Sequence, residues 1–305
     1  MRILLTNDDG IRAPGIIALH DALMHDTPQY PGALGGPKSE CLVVAPLTVQ
    51  SATSHGITFH EPLMVREERL RGTGSAPSAS GVAVDGRPAD CVKLAVSSIW
   101  PARMNGKPDV VISGMNAGAN CGINVIYSGT VAAAIEGAFL GIPSIAVSLR
   151  LGRGKPRFDL AAHRARHVLE QIFRKGDLEA GEILSINIPT TEEAWADGEQ
   201  PKVDRIELAS HHSKPQLTNV VPPPTTMPAI HVCPMNVHGL IDKYEQRMSP
   251  LGDTYYWAAG HGLDFHATEE GSDVDLLMKH QITVTPLKFD LTRHDRMNKW
   301  RGVLG

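Results

Sequence analysis

The sequence predicts an α/β fold built on a mainly parallel β-sheet, with a more irregular C-terminal extension. Three observations carry that prediction. Short apolar strands alternate with helical runs as far as about residue 190, the pattern of successive βαβ units. Several of the strands end in polar loops rich in Asn, Asp, Ser and Gly. Beyond residue 190 the alternation fades into a Pro-, Thr- and His-rich stretch.

Taken in order, RILLT at 2–6 is a short apolar strand, and GIIALHDALMH beyond Pro14 has helical character. CLVVAP at 41–46 is a second strand, followed by a polar loop, QSATSHGITF at 50–59. REERLRGTGSAPSASG at 66–81 is polar and low in complexity, and reads as an exposed loop or an excursion between strands. GRPADCVKLAVSSIW at 86–100 sets a Pro and an Asp ahead of an apolar-periodic run, a helix start. KPDVVISGMNAG at 107–118 is the clearest strand-to-loop junction. A small-residue helix follows at 127–141, then a strand in IPSIAVSL. FDLAAHRARHVLEQIFRKG is amphipathic and stopped by Gly176, and GEILSINIPT is again a strand with a polar end. The segment 191–230, with PPP at 222–224, is compatible with loop, arm or irregular strand. SDVDLLMKHQITVTPL at 272–287 turns from helix to strand, and a charged tail starts at Asp290. No internal repeat is visible, so the chain divides into an α/β core at 1–190 and a C-terminal elaboration at 191–305.

Composition narrows the function. The 305 residues are 42% hydrophobic and 20% charged, ordinary globular values. Twenty-nine Lys and Arg against 33 Asp and Glu leave a formal charge of -4, with no whole-protein attraction for nucleic acid or anionic lipid. The charge of an anionic substrate must therefore be met locally. Cys41, Cys91, Cys121 and Cys233 lack CxxC spacing and read as reduced thiols, neither a zinc site nor a disulfide framework. The most apolar long window, 131–149, contains Glu136 and a GIP turn, which fits helix, turn and strand better than a membrane span. A cytoplasmic location is expected.

In an open parallel sheet, ligands collect beyond the carboxyl ends of the strands. NDDG, QSATSH, SGMNAG and NIP all occupy that kind of position. Asn7, Asp8 and Asp9 form the first cluster, and Gly10 allows the backbone to turn both carboxylates inward. Adjacent carboxylates resist burial unless a positive charge compensates them. Hard cations such as Mg²⁺ and Mn²⁺ take such oxygen ligands, to which Asn116 adds an amide and Ser51 a hydroxyl. On its own the Asp pair is equally compatible with a polar turn.

SGMNAGANCGINVIYSGTVAAA spaces Gly114, Gly118, Gly122 and Gly129 along a loop that leads into a helix. Backbone N–H groups there suit phosphate, with Ser128 and Thr130 as hydroxyl donors. A helix start in which Ser128 or Thr130 only caps reads equally well. No GxGxxG, Walker or DxD arrangement occurs, and no HExxH. Of 14 histidines, His55 lies in the second cluster, and His211 and His212 are adjacent without an assignable partner.

Together NDDG, the Ser-containing loop after VVAP, PADCVKLA, PDVVISGMNAGANCG and YSGTVAAAIEG resemble the stationary-phase survival protein (SurE) family of metal-dependent nucleotide phosphatases. SPLGDTYYWAAG and ITVTPL extend the resemblance, which is weakest at 66–81 and 191–230. It implies a Rossmann-like three-layer core, a C-terminal extension that exchanges between subunits, and a homodimer or homotetramer. It implies hydrolysis of nucleoside 5′- and 3′-monophosphates, with exopolyphosphatase activity in some members. By resemblance, one Mg²⁺ or Mn²⁺ per subunit is held by Asp8, Asp9, Ser51 and Asn116. Asp8 and Asp9 are the expected catalytic pair, and Asn7, Gly114, Asn116, Gly118, Ser128, Gly129 and Thr130 are expected around phosphate and substrate. The expected partner is a nucleoside monophosphate, with neither nucleic acid nor membrane. One departure stands out. Where the family carries an aspartate–arginine and then a serine–glycine pair, this chain has Leu47, Thr48, Ser51 and Ala52. The alternative is therefore a nucleotide-binding module with reduced turnover.

Overall fold

The computed structural model of the chain describes residues 1–70, 79–193, 226–259 and 262–305. Strand β1 (Arg2–Thr6) leads through the NDDG turn to helix α1 (Pro14–Met24), whose proline sits in the first turn, where a missing N–H costs nothing. After β2 (Glu40–Pro46) comes a pair, β3 (Val65–Leu70) and β4 (Ala79–Val84). Helix α2 (Pro88–Leu94) starts where Asp90 accepts the Arg87 N–H at 2.9 Å, and it continues through a π-helical turn into α3 (Trp100–Arg103). Then follow β5 (Val110–Ala117), α4 (Asn124–Tyr127), α5 (Gly129–Phe139), β6 (Ser144–Leu149) and the two-residue β7 (Lys155–Pro156). Helix α6 (Phe158–Lys175) buries Ala161, Ala165, Val168 and Leu169, one helical face, and ends at Gly176. The chain continues with β8 (Ile183–Ile188) and β9 (Glu192–Glu193), then β10 (Ile230–Val232). A hairpin of β11 (Tyr244–Met248) and β12 (Thr254–Ala258) precedes α7 (Asp273–Met278), β13 (Ile282–Leu287) and α8 (Met297–Leu304).

Among the described residues nine strands form one sheet in the order β10-β13-β8-β6-β5-β1-β2-β4-β3. Only the β3–β4 and β8–β13 pairings are antiparallel, so the mainly parallel sheet read from the sequence is what forms. β5, β6 and β8 are almost continuously apolar or small because helices cover both faces. Ile3 and Leu5 pack with Ile16, Leu19 and Leu169 of α1 and α6, whereas Leu4 packs with Val92 and Ala133 of α2 and α5. That alternation is the period of the strand. No helix among the described residues is long and apolar enough to cross a membrane.

Two segments differ from expectation. Much of 66–81 is strand: β3 pairs with β4 at the sheet edge, where charged side chains deter further pairing. Polarity hid it, because an edge strand with one open face carries no apolar run. The tail beyond Asp290 ends in α8, with Trp300, Val303 and Leu304 exposed. Residues 194–225, including His211, His212 and the PPP run, lie outside the described residues.

Glu136 of α5 is 2% exposed and ties three elements together. It accepts from Lys93 Nζ of α2 at 2.8 Å and pairs with His55 Nε2 of the 50–59 loop at 3.0 Å. Burial pushes its carboxyl up, but the His55 and Lys93 hydrogen bonds and charges outweigh this and hold it below the usual 4.5. A depressed acid stabilises the fold fully above its unfolded value, and the contribution is lost as pH falls through the folded value. Glu136→Gln is therefore expected to cost about 1–2 kcal/mol at pH 7. The urea midpoints of variant and wild type should converge as pH drops below 4.5. A gap independent of pH would refute this account.

Candidate metal and phosphate centre

The strand order reverses beside β1: the chain crosses first to β2 on one side and later to β5 on the other. A crevice opens at such a switch point, beyond the carboxyl ends of the strands. Thr6 and Ser113 are register partners at its floor. Past Thr6, the Asn7 side-chain amide donates to the Gly10 carbonyl at 2.8 Å and closes the turn, with Gly10 at φ +94. Asp8 and Asp9 then point to different neighbours.

Asp8 is 4% exposed and faces the first turn of α5. Its carboxylate accepts the Thr130 N–H at 3.0 Å and the Thr130 hydroxyl at 2.5 Å. Its main-chain carbonyl accepts the Gln50 N–H at 2.7 Å, which brings the loop after β2 alongside. The Asp9 carboxylate accepts the Ala117 N–H at 2.7 Å, at the end of β5. Burial pushes the Asp8 carboxyl up to about 7, and the Asp9 charge adds to the rise against the Thr130 hydrogen bonds. A cation bound by these carboxylates would offset both causes.

The loop after β5 is shaped by an irregularity. The β5–β6 register shifts between Ser113 and Asn116, and Gly114 within that bulge adopts φ +144. Asn116 ends the bulge, one residue before the Ala117 N–H that holds Asp9, and its amide nitrogen donates to the Gly118 carbonyl at 2.7 Å, which leaves Oδ1 as the end able to meet a cation. The Gly118 N–H is committed to the Leu149 carbonyl at 2.9 Å and the Ala117 N–H to Asp9. These glycine-loop donors, expected from sequence to face phosphate, are therefore used within the protein, and Gly118 contributes backbone freedom.

At α5, Ser128 is the N-cap, accepting the Val131 N–H at 3.1 Å. Gly129 faces Asp8 so closely that a Cβ there would lie 2.9 Å from Asp8 Cβ and 3.0 Å from its Oδ2. Ser51 is exposed on the loop that Gln50 fastens to Asp8. That loop is also held at Ser54, whose N–H and hydroxyl donate to the carbonyls of Tyr127 and Ile126 at 3.1 and 2.7 Å. Ala52, where the family pattern has glycine, sits at φ +56, a conformation that costs an alanine roughly 1 kcal/mol.

Sequence reasoning missed Gln50 and Ala117, which act through main-chain N–H groups that any residue would supply. It also missed Thr6 and Ser113. Thr6 Oγ1, Ser113 Oγ and Asn7 Oδ1 are buried and lack a hydrogen-bond partner among the described residues. Orphaned oxygens beside two carboxylates make an oxygen-rich donor set, which a hard divalent cation fits. A different group, His20, Asp21 and His25, brings three ligand atoms within 4.8 Å of one another at the opposite end of α1.

Comparison with known proteins gives a consistent result. The family model described as Survival protein SurE matches residues 3–213. The chain is 38% identical over 301 residues to the 5′-nucleotidase SurE of Rhodopirellula baltica, covering 99% of this chain and 98% of that protein. It is 36% identical over 304 residues to 5′-nucleotidase SurE 1 of Thermus thermophilus, covering 100% and 98%. Among solved structures it is similar to the SurE protein from Aquifex aeolicus, with a TM-score of 0.68, 30% identity and 99% of both chains covered.

Proposed function

The chain belongs to the SurE family, a metal-dependent nucleotide phosphatase by that membership, and from this premise we propose how it works. Its substrates are nucleoside 5′-monophosphates, and also 3′-monophosphates, cleaved to nucleoside and phosphate. One Mg²⁺ or Mn²⁺ per subunit is held by Asp8, Asp9, Ser51 and Asn116. The observation that carries the reading is the linkage of four segments at one switch point: Asp8 to Thr130 and Gln50, Asp9 to Ala117.

When bound, the cation supplies an electrophile for a phosphate oxygen. The chain's own residues do the rest. Thr130 fixes the Asp8 carboxylate by two hydrogen bonds, so its position is set before substrate arrives. The N-terminus of α5, opened by Ser128, Gly129 and Thr130, presents the positive end of the helix dipole to the phosphoryl group. Asn7 and Asn116 offer amide oxygens that orient water or substrate. Asp9, more exposed than Asp8, takes the proton of the attacking water.

A second reading, nucleotide binding with reduced turnover, has Leu47, Thr48 and Ala52 in its favour, since they replace a charged pair and a glycine. Phosphate release from nucleoside 5′- and 3′-monophosphates, polyphosphate and small phosphoesters, with Mg²⁺, Mn²⁺ or chelator, separates the two. Release from nucleoside monophosphates that chelator abolishes is expected. Binding by calorimetry without release under any metal would overturn turnover in favour of the binding module.

Residues 1–190 carry this chemistry, and 191–305 carry oligomerisation elements, with β13 lying in the core sheet. Tyr244, Met248, Tyr256 and Trp257 of the hairpin and Trp300 of α8 are exposed. So much aromatic surface on projecting elements is suited to exchange between subunits in a homodimer or homotetramer. Sedimentation velocity should show that assembly, and a single monomeric species at micromolar concentration would exclude it. The four cysteines are free thiols, in keeping with a cytoplasmic location that cell fractionation tests.

A further inference from the structure

We propose that His20, Asp21 and His25 form a second metal site, one that takes a borderline divalent cation of the zinc type. It is separate from the oxygen-rich centre and does not depend on the catalytic reading. Helix α1 begins against the bulge of β5, where a Cβ on Gly15 would meet the Met115 carbonyl at 2.1 Å. Its 11 residues carry the chain about 16 Å away, back toward the end of the sheet where β2 starts. No single ion can serve both places.

The site is assembled by the way α1 ends. His20 and Asp21 lie in the closing turns, 7% and 8% exposed. His25 is the C-cap: its N–H donates to the Asp21 carbonyl at 2.9 Å, and its backbone is extended at φ -125, ψ 176. The break in helical backbone lets the His25 ring fold back over the helix end instead of continuing around it. The two imidazoles meet edge to face, with centroids 6.0 Å apart at 73°.

Three distances and contacts point to a ligand. His20 Nδ1 lies 3.4 Å from Asp21 Oδ1. Bonds of about 2.0–2.1 Å to a tetrahedral zinc place neighbouring ligand atoms roughly 3.3–3.4 Å apart, the same spacing. All three residues place a ligand atom within 4.8 Å of the other two. The third observation is independent of the cluster's shape: His25 Nε2 is buried and has no hydrogen-bond partner among the described residues. An imidazole nitrogen normally finds a donor or an acceptor when shielded from water.

A plain His20–Asp21 hydrogen bond accounts for the first distance, but leaves His25 Nε2 unexplained. A metal ion bound through Nε2 would account for both. The neighbouring Arg166, which donates to the carbonyls of Ala22 and Leu23, is compensated by Glu170 at 2.7 Å, so its charge is already met. Two imidazoles and one carboxylate suit Zn²⁺, Ni²⁺ or Cu²⁺ better than Mg²⁺, and three protein ligands leave a position for water. Such an ion would tie the end of α1 to the segment that leads into β2. Its effect would be on stability, because a ligand that binds only the folded chain stabilises it by mass action.

The test uses the full-length chain stripped with chelator, in an Asp9→Asn background that weakens the other centre. Equilibrium dialysis should find one tightly held Zn²⁺ per chain, and Co²⁺ should give the visible absorption of a four-coordinate site. Adding His25→Ala or His20→Gln should weaken Zn²⁺ about 100-fold or more and abolish the Co²⁺ band. Zn²⁺ should raise the melting temperature of the Asp9→Asn chain and leave that of the His25→Ala double variant unchanged, which controls for misfolding. In the otherwise wild-type chain, His25→Ala should leave Mn²⁺-dependent phosphatase activity unchanged. Zn²⁺ stoichiometry and melting shift that survive both histidine substitutions, or no tight Zn²⁺ in the Asp9→Asn chain, would overturn the proposal.

Discussion

Asp9→Asn is expected to abolish metal-dependent phosphate release while the protein stays folded. The substitution keeps the size of the side chain and keeps an oxygen able to accept the Ala117 N–H, now at 2.7 Å from the carboxylate. What it removes is one negative charge from the donor set. On the proposed reading, a divalent cation would lose one carboxylate ligand and bind more weakly, and less of its charge would be available to the phosphoryl group in the transition state. A loss of about 10³-fold in kcat/KM follows, the scale of removing one well-placed electrostatic partner. The metal-free fold should suffer little, because the substitution also removes the Asp8–Asp9 repulsion that helps raise the Asp8 carboxyl. Initial rates over a Mn²⁺ titration, together with a melting curve, decide it. Wild-type rates in a folded Asp9→Asn protein would remove Asp9 from the mechanism.

Gly114→Ala is expected to produce a large loss of stability from a single added methyl group. The bulge holds this residue at φ +144, a conformation that side chains rarely adopt. A Cβ there would lie 2.2 Å from the Val147 carbonyl oxygen and 3.1 Å from the Val147 Cβ, on the adjacent strand. A main-chain oxygen in the middle of a sheet cannot swing aside as a lysine tip can. Strain and overlap together should cost about 3–5 kcal/mol, lowering the melting temperature by roughly 10 °C. Any relief requires β5 and β6 to part, which moves Asn116 and the Ala117 N–H that holds Asp9. Activity measured below the new melting point should therefore fall about 100-fold. A wild-type urea midpoint would show that the bulge is not fixed by this contact.

Much of the fold is legible in the order of the residues alone. The alternation of apolar strands and helices read from the chain is the alternation observed as far as β8, and the polar loops predicted after β1, β2 and β5 do meet at one end of the sheet. Such features are local: a run of buried residues has the same period wherever it is placed. The strand β3 at 65–70 is illegible because it forms the sheet edge and its four central residues, Arg66 to Arg69, are all charged. The antiparallel return of β13 beside β8 is illegible for another reason: strand pairing is set by partners more than ninety residues apart.

At the site the division is sharper. The sequence by itself determined that Asp8 and Asp9 stand at a strand end, that Asn116 stands at another, and that a small-residue helix opens near Ser128. Those are statements about position along the chain, and turn chemistry after an apolar run is enough to make them. Only the tertiary structure decided that Thr130 grips Asp8, that Ser128 is spent on capping α5, that Gly118 and Ala117 donate inward, and that the β5 register shifts between Ser113 and Asn116, around Gly114. It also decided that His25 folds back onto His20 and Asp21. The physical reason is common to all of them. A hydrogen bond is satisfied by whichever donor lies within about 3 Å, and which donor that is depends on how distant segments pack.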